Sequence, residues 1–161
     1  MITIKFKTNE IREFNLDSLD RVNFDEEQLH AAIFDGLSLY KASFIKTNLR
    51  SAELSRCYLN KAVFIEALLM NAYLKYSVLT NSDFSSSRLS GACFFKADMR
   101  NANLSQADVF GVEFNGADLR GANFCGVERI DSASFDKALY DKKTIWPENF
   151  SVDLKGLILV C

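Results

Sequence analysis

Few residues in this chain of 161 could carry chemistry, and their spacing limits what they could do. Histidine occurs once, at His30, and the four cysteines are Cys57, Cys93, Cys125 and Cys161. There is no C-x-x-C pair and no Cys/His cluster, so a zinc site is not expected. A cysteine or serine nucleophile would need His30 beside it to take its proton, and the order of residues brings none there. Asp98, Asp108 and Asp118 recur every ten residues. Single carboxylates at that interval read as solvated positions of a repeat rather than as calcium ligands. Gly111, Gly116 and Gly121 are five apart, a spacing that marks corners of the chain and not a phosphate-binding loop. The expectation is a protein with no catalytic residues, no metal site and no cofactor.

Composition agrees with a folded, water-facing protein. Hydrophobic residues make up 48% and charged residues 25%, the formal net charge is -2 and the sequence pI is about 5.5. A strongly basic nucleic-acid binder is excluded by that balance. No apolar run approaches the roughly 18 residues a membrane helix needs. The opening MITIKFKTNEIREF is too charged for a signal peptide, and a cytoplasmic location is expected. Two figures are unusual: 14 Phe and a single Pro.

The elements that must position every side chain follow from an internal repeat. Taking every fifth residue from Phe14 to Phe124 gives 23 positions without a polar residue, and 21 of them are Leu or Phe. The exceptions are Met99 and Val109. Two residues before each, from Ala32 to Ala122, 12 of 19 positions are Ala, while Thr47, Cys57, Ser77, Ser82, Ser87 and Val112 are also of modest size. Only Leu37 is bulky. On a helix a period of five would spiral around the axis, and on a continuous strand it would alternate between faces. The pattern closes if the chain takes a short extended step and turns about a right angle every five residues. Four such steps close one coil, with the large residue filling the middle and the small one leaving room for it. Side chains separated by four steps then stack, so that Phe24, Phe44, Phe64 and Phe84 form a ladder.

Blocks such as Ala97-Asp98-Met99-Arg100-Asn101, Ala102-Asn103-Leu104-Ser105-Gln106 and Ala117-Asp118-Leu119-Arg120-Gly121 carry a resemblance. They resemble the A-(D/N)-L-x-x signature of pentapeptide-repeat proteins, over roughly residues 30 to 140. The resemblance implies an all-β fold, a right-handed quadrilateral β-helix of about six 20-residue coils. The segment Tyr140 to Phe150 resembles the Y-D-x-x-T-x-(W/F)-P-x-x-F ending of cyanobacterial members.

The expected organisation is a single domain over residues 1–161. Residues 1–30 are a cap or a distorted first coil, 31–140 the repeat β-helix, and 141–161 a C-terminal cap. Before residue 30 the small positions hold Arg12, Asp17, Val22 and Glu27, and charges cannot sit unpaired inside a coil. Ile2, Ile4 and Phe6 alternate like an edge strand. Asp25 to Ala32 has the composition for one or two helical turns with Asp25 as N-cap. After Phe124 the frame slips by one residue and continues through Ile130, Phe135 and Tyr140, with Ala133 and Ala138 as small partners. Trp146 and Phe150 are placed to cover the open apolar end, and Leu157 to Val160 read as a last short strand. Cys57 takes an inward position, while Cys93 and Cys125 point outward without forming a disulfide.

Charge and apolar surface separate the binding functions. Well-understood members of the resembled family protect DNA gyrase by mimicking duplex DNA, which needs a continuous negative field. Residues 31–125 here carry ten basic and eight acidic residues, which disfavours that alternative. The outward positions between 58 and 78, normally polar, include Tyr58, Val63, Ile65, Leu68, Met70, Tyr73, Tyr76 and Val78. The densest sector is the corner with Tyr58, Tyr73, Tyr76 and Val78, and Phe95 lies one coil above Lys75. Exposed apolar clusters rich in tyrosine mark interaction sites. The expected function is a non-catalytic scaffold for an unidentified protein partner or for self-association, with no nucleic acid and no membrane.

Overall fold

Every fifth residue makes a β-bridge to its counterpart one coil further on, and this single rule builds most of the molecule. Asn23 pairs with Ser43, Gln28 with Asn48, Ile33 with Glu53 and Ser38 with Tyr58, all parallel, and each ladder continues turn upon turn. The structure, a computed structural model, describes residues 1–161, Leu154 by its backbone alone. Strand segments are too short to count as long strands, because the chain bends after each bridge. The bends place the second residue after each central Leu or Phe in the left-handed region. Lys41, Lys61, Tyr76 and Lys96 have φ of 57°, 59°, 59° and 53°. Glycine takes that role at Gly111, Gly116 and Gly121, as their spacing predicts. Backbone amides find their acceptors on neighbouring turns, as in Phe64 N–H to the Asp83 carbonyl and Val63 N–H to the Ala42 carbonyl.

The interior is filled by the period-five residues and their small partners. Phe24, Phe44, Phe64 and Phe84 stack with centroids 5.2, 5.0 and 4.6 Å apart. A second stack runs through Phe94, Phe114 and Phe135 at 5.4 and 5.1 Å. All of these rings are buried, as are the alanines beside them. Ser77 and Cys57, at small inward positions, satisfy their polar atoms on the carbonyls of Leu54 and Phe34.

The N-terminal end departs from the repeat. Strand β1 (Ile2–Phe6) pairs antiparallel with β2 (Ile11–Phe14) on one side and with β3 (Ala32–Ile33) on the other. β1 is therefore the central strand of three, not an edge strand. It occupies the place beside Ile33 that a preceding turn would fill. Ile4 and Phe6 are buried at the end of the core. Arg12 is half-buried and pairs with Glu10 at 2.9 Å and Glu27 at 3.7 Å, which keeps those charges out of the interior. The helical turns expected over Asp25 to Ala32 do not form. Glu26, Leu29 and Ala31 donate instead to the carbonyls of Ile45, Asn48 and Arg50 on the next turn. A helix of that length lacks the hydrogen bonds to offset its nucleation, whereas the coil gives the amides of Glu26, Leu29 and Ala31 acceptors on the next turn.

At the other end the slip of the frame is visible as a change of register. Glu113 pairs with Ser134 and Asp118 with Leu139, one place beyond the spacing of the earlier bridges. The extra residue is taken up by a 3₁₀ turn over Ile130–Ser132, preceded by Arg129 at φ 57°. Trp146 stacks on Phe124 at 4.8 Å, and Phe150 on Trp146 at 4.9 Å. Strand β4 (Leu139–Tyr140) pairs parallel with β5 (Ile158–Leu159). Among the described residues no helix is long and apolar enough to cross a membrane.

Candidate functional site

The sequence-predicted surface residues fall on two adjoining ladders and the corner between them. Tyr58 bridges to Val78 on one ladder, and Tyr73 bridges to Cys93 on the other. Tyr76 sits at the corner, its amide donating to the Phe95 carbonyl at 3.0 Å, and its ring meets Phe95 edge-on at 5.6 Å. Tyr58 is 57% exposed, Tyr76 50% and Tyr73 39%, whereas Val78 and Phe95 are half-buried. Tyr58, Tyr76, Val78 and Phe95 thus form one group around the corner. Tyr73 stands slightly apart, because the Lys7 ammonium of the N-terminal hairpin lies 5.0 Å over its ring while bonding Glu53 at 2.7 Å. Val63, Ile65, Leu68 and Met70 are only half-buried and lie on other ladders or corners.

The residues that could carry chemistry are dispersed. The exposed His30 places Nδ1 2.9 Å from the Arg50 carbonyl. Cys57 is buried, and burial pushes its thiol up to about 12, which suppresses the reactive thiolate. Cys93, expected to point outward, is only 6% exposed. Its thiol donates to Glu113 at 2.9 Å. Burial, and then that hydrogen bond, push it up to about 11. The outward ladder position holds, but the side chain is small enough for its neighbours to cover. Cys125 and Cys161 are exposed. Among the described residues no group of three His, Cys, Asp or Glu side chains could share a metal ion.

The aspartates spaced by ten are held by arginines. Arg100 grips Asp98 through two hydrogen bonds of 2.8 and 2.7 Å, and Arg120 grips Asp118 at 2.8 and 2.6 Å. Asp108, on another ladder, accepts from Arg129 and from Ser90. Burial opposes ionisation at Asp98 and Asp108, but the bonds from Arg100 and Arg129 outweigh it, and both carboxyls lie below their ordinary value. The same Arg129 guanidinium lies 4.7 Å over the ring of Phe110, which is 50% exposed. Sequence reasoning passed over Phe110. It was legible as a large apolar residue directly after a period-five position, but it lies outside the stretch where such residues cluster.

Pentapeptide repeats (8 copies) match residues 23–64, 62–101, 87–126 and 102–138. The crystal structure of alr5209, a pentapeptide repeat protein from Nostoc PCC 7120, is 37% identical over 63% of this chain and 83% of its own, with a TM-score of 0.61. QnrB1, a plasmid-mediated fluoroquinolone resistance protein, is 21% identical over 88% of both chains, with a TM-score of 0.46. HetL, a pentapeptide repeat protein involved in heterocyst differentiation regulation from Nostoc sp. strain PCC 7120, is 20% identical over 86% of this chain and 70% of its own, with a TM-score of 0.34. No curated protein is a significant match. The period-five core, the coil-to-coil ladders and the matches over residues 23–138 agree: this chain belongs to the pentapeptide repeat family, whose structures imply a right-handed β-helix.

Proposed function

We propose that this protein is a non-catalytic scaffold that binds another protein through the corner formed by Tyr58, Tyr76, Val78 and Phe95, with Tyr73 beside it. The carrying observation is the exposure of two tyrosines, at 57% and 50%, next to a half-buried phenylalanine on one corner. Tyrosine presents apolar area and a hydroxyl at low entropic cost, which suits a binding surface. A rod whose interior is filled by Leu, Phe and Ala offers its outside for recognition. Four ladders per turn of the coil support a quadrilateral cross-section, of about six coils on repeat counting. In this reading residues 1–161 are one domain, with 1–30 and 141–161 closing the ends of the repeat. The DNA-mimic alternative, a gyrase binder, draws no support from residues 31–125, where ten basic residues face eight acidic ones.

The test is affinity capture from host extract, followed by measured binding of the purified captured protein. Tyr58→Ser with Tyr76→Ser is expected to weaken that binding by about tenfold or more, as loss of a hot spot does, with the fold intact. Undiminished binding by the double variant overturns the assignment of the corner.

A further inference from the structure

Beside the tyrosine corner stand Lys41, Lys61, Lys75 and Lys96, which no carboxylate of the described residues pairs, and we propose that its partner is an acidic polypeptide segment. This rests on the corner being a binding surface and adds the chemistry of what it binds. Arg56, Tyr76 and Lys96 occupy the same corner on successive turns, while Lys41 and Lys61 occupy the next corner on successive turns. Tyr58 and Val78 lie on the ladder between them. Successive turns are about 4.8 Å apart, so Lys96 on one side and Lys41 and Lys61 on the other flank a narrow apolar strip.

The carboxylates around this strip are already held. Asp35 pairs with Arg56, Glu53 with Lys7 at 2.7 Å, and Asp98 with Arg100 at 2.7 Å. Among the described residues, Lys41, Lys61, Lys75 and Lys96 have no carboxylate within 4.0 Å. Three of them lie over aromatic rings instead: Lys41 at 5.3 Å from the Tyr40 centroid, Lys75 at 5.7 Å from Tyr73 and Lys96 at 5.3 Å from Phe95. Cation–π contacts of this kind steady the ammonium groups without cancelling their charge. A ligand placing carboxylates over the lysines and apolar side chains against Tyr58 and Val78 would satisfy both halves of the surface.

The same contacts argue against a nucleic acid. Base stacking needs a free ring face. The rings of Tyr73 and Phe95 carry ammonium groups, and Phe95 is also engaged edge-on by Tyr76 at an interplanar angle of 89°. Beyond these two rings the corner offers the exposed Tyr58 and Tyr76 and unpaired ammoniums.

The test uses the full chain and a fluorescein-labelled peptide of alternating glutamate and leucine. Its counterpart with glutamine for glutamate and an oligo-dT strand serve as comparisons. The glutamate peptide is expected to bind at low salt, to weaken as salt rises, and to bind at least about tenfold better than either comparison. Lys61→Glu with Lys96→Glu is expected to lower its affinity by about tenfold or more, and the milder Lys61→Gln with Lys96→Gln by less. Arg50→Glu with Arg88→Glu, two ladders away, is expected to leave binding unchanged, and the thermal midpoint of each variant checks its fold. Equal binding of the glutamine peptide, abolished by Tyr58→Ser with Tyr76→Ser, would overturn the acidic chemistry while sparing the surface. Binding indifferent to both the lysine and the tyrosine pairs, or absent, would overturn both. Oligo-dT binding as tightly as the peptide would reassign the corner to nucleic acid and overturn the proposal. So would a dimer in sedimentation that Lys61→Glu with Lys96→Glu dissociates, because the occupant would then be a second copy.

Discussion

Two sets of aromatic rings sit on the same coils and have opposite fates. Phe44, Phe64 and Phe84 stack almost parallel, with interplanar angles of 2° and 4°, and are fully buried. Tyr58 and Tyr76 lie within the same stretch of chain and are at least half exposed. Residue type does not separate them, since Phe95 and Phe110 also stand away from the core stack. The place within the five-residue step does. The central position points inward, where the next turn supplies another apolar side chain. The position before it and the two after it face out, where a ring finds a partner only if the surface happens to provide one. Inside, repetition makes packing cumulative. Outside, the same repetition leaves whatever the sequence puts there.

The largest expected effect tests the inside. Phe64→Ala is expected to cost about 3–5 kcal/mol, because it opens a cavity between two stacked rings. Phe14 is half-buried and touches Phe24 edge-on at 5.7 Å, so Phe14→Ala is expected to cost less. Comparable denaturation midpoints for the two variants would break the contrast between stacked interior and open end. Ala72→Leu comes next. Ala72 is fully buried at a small inward position, and the larger side chain is expected to destabilise by about 1–3 kcal/mol through overpacking. A neutral result in the same assay would mean the interior has slack.

Held charges fall between the two extremes. Asp98, Asp108 and Asp141 have folded-state values below the ordinary carboxylate value of 3.8. At Asp141 burial again acts the other way and is outweighed by the amides of Gly121, Lys143 and Thr144 and by the Thr144 hydroxyl. The unfolded chain therefore binds more protons near that value, and stability is full above it. It is lost as pH falls through the depressed folded values. Asp108→Asn is expected to cost about 1 kcal/mol at neutral pH and to flatten the acid limb of a stability profile measured from pH 7 downward. An unchanged acid limb would show that Arg129 does not hold Asp108 in solution. The smallest effect belongs to the outside: Tyr58→Ser with Tyr76→Ser is expected to shift stability by less than about 0.5 kcal/mol per site. A clear drop in the thermal midpoint would place those rings with the interior set.

Much of this was legible in the chain of letters because each coil repeats one environment many times over. Each inward Leu or Phe faces the same demand, so chance variation averages out and the period of five stands clear. The slip after Phe124 could be read in the same way, from the shift of Ile130 and Phe135 by one place. The corner aromatics were readable as exceptions to the polar outer positions. Their grouping was readable because regular stacking of the coils converts sequence distance into position.

Tertiary structure decided the matters that depend on single neighbours. The N-terminal hairpin takes the bridging place beside Ile33, a pairing of Phe6 with Ala32 that no periodicity encodes. Asp25 to Ala32 joined the coil because the next turn offered carbonyls that a short helix could not replace. Cys93 is covered because Glu113 lies one turn above it and accepts a hydrogen bond from its thiol. The lysines around Tyr58 and Tyr76 stay unpaired, while Asp35, Glu53 and Asp98 nearby pair with Arg56, Lys7 and Arg100. Local pattern sets which way a side chain points. Which partner it meets there depends on the particular residue one turn away, and that is a property of the folded chain.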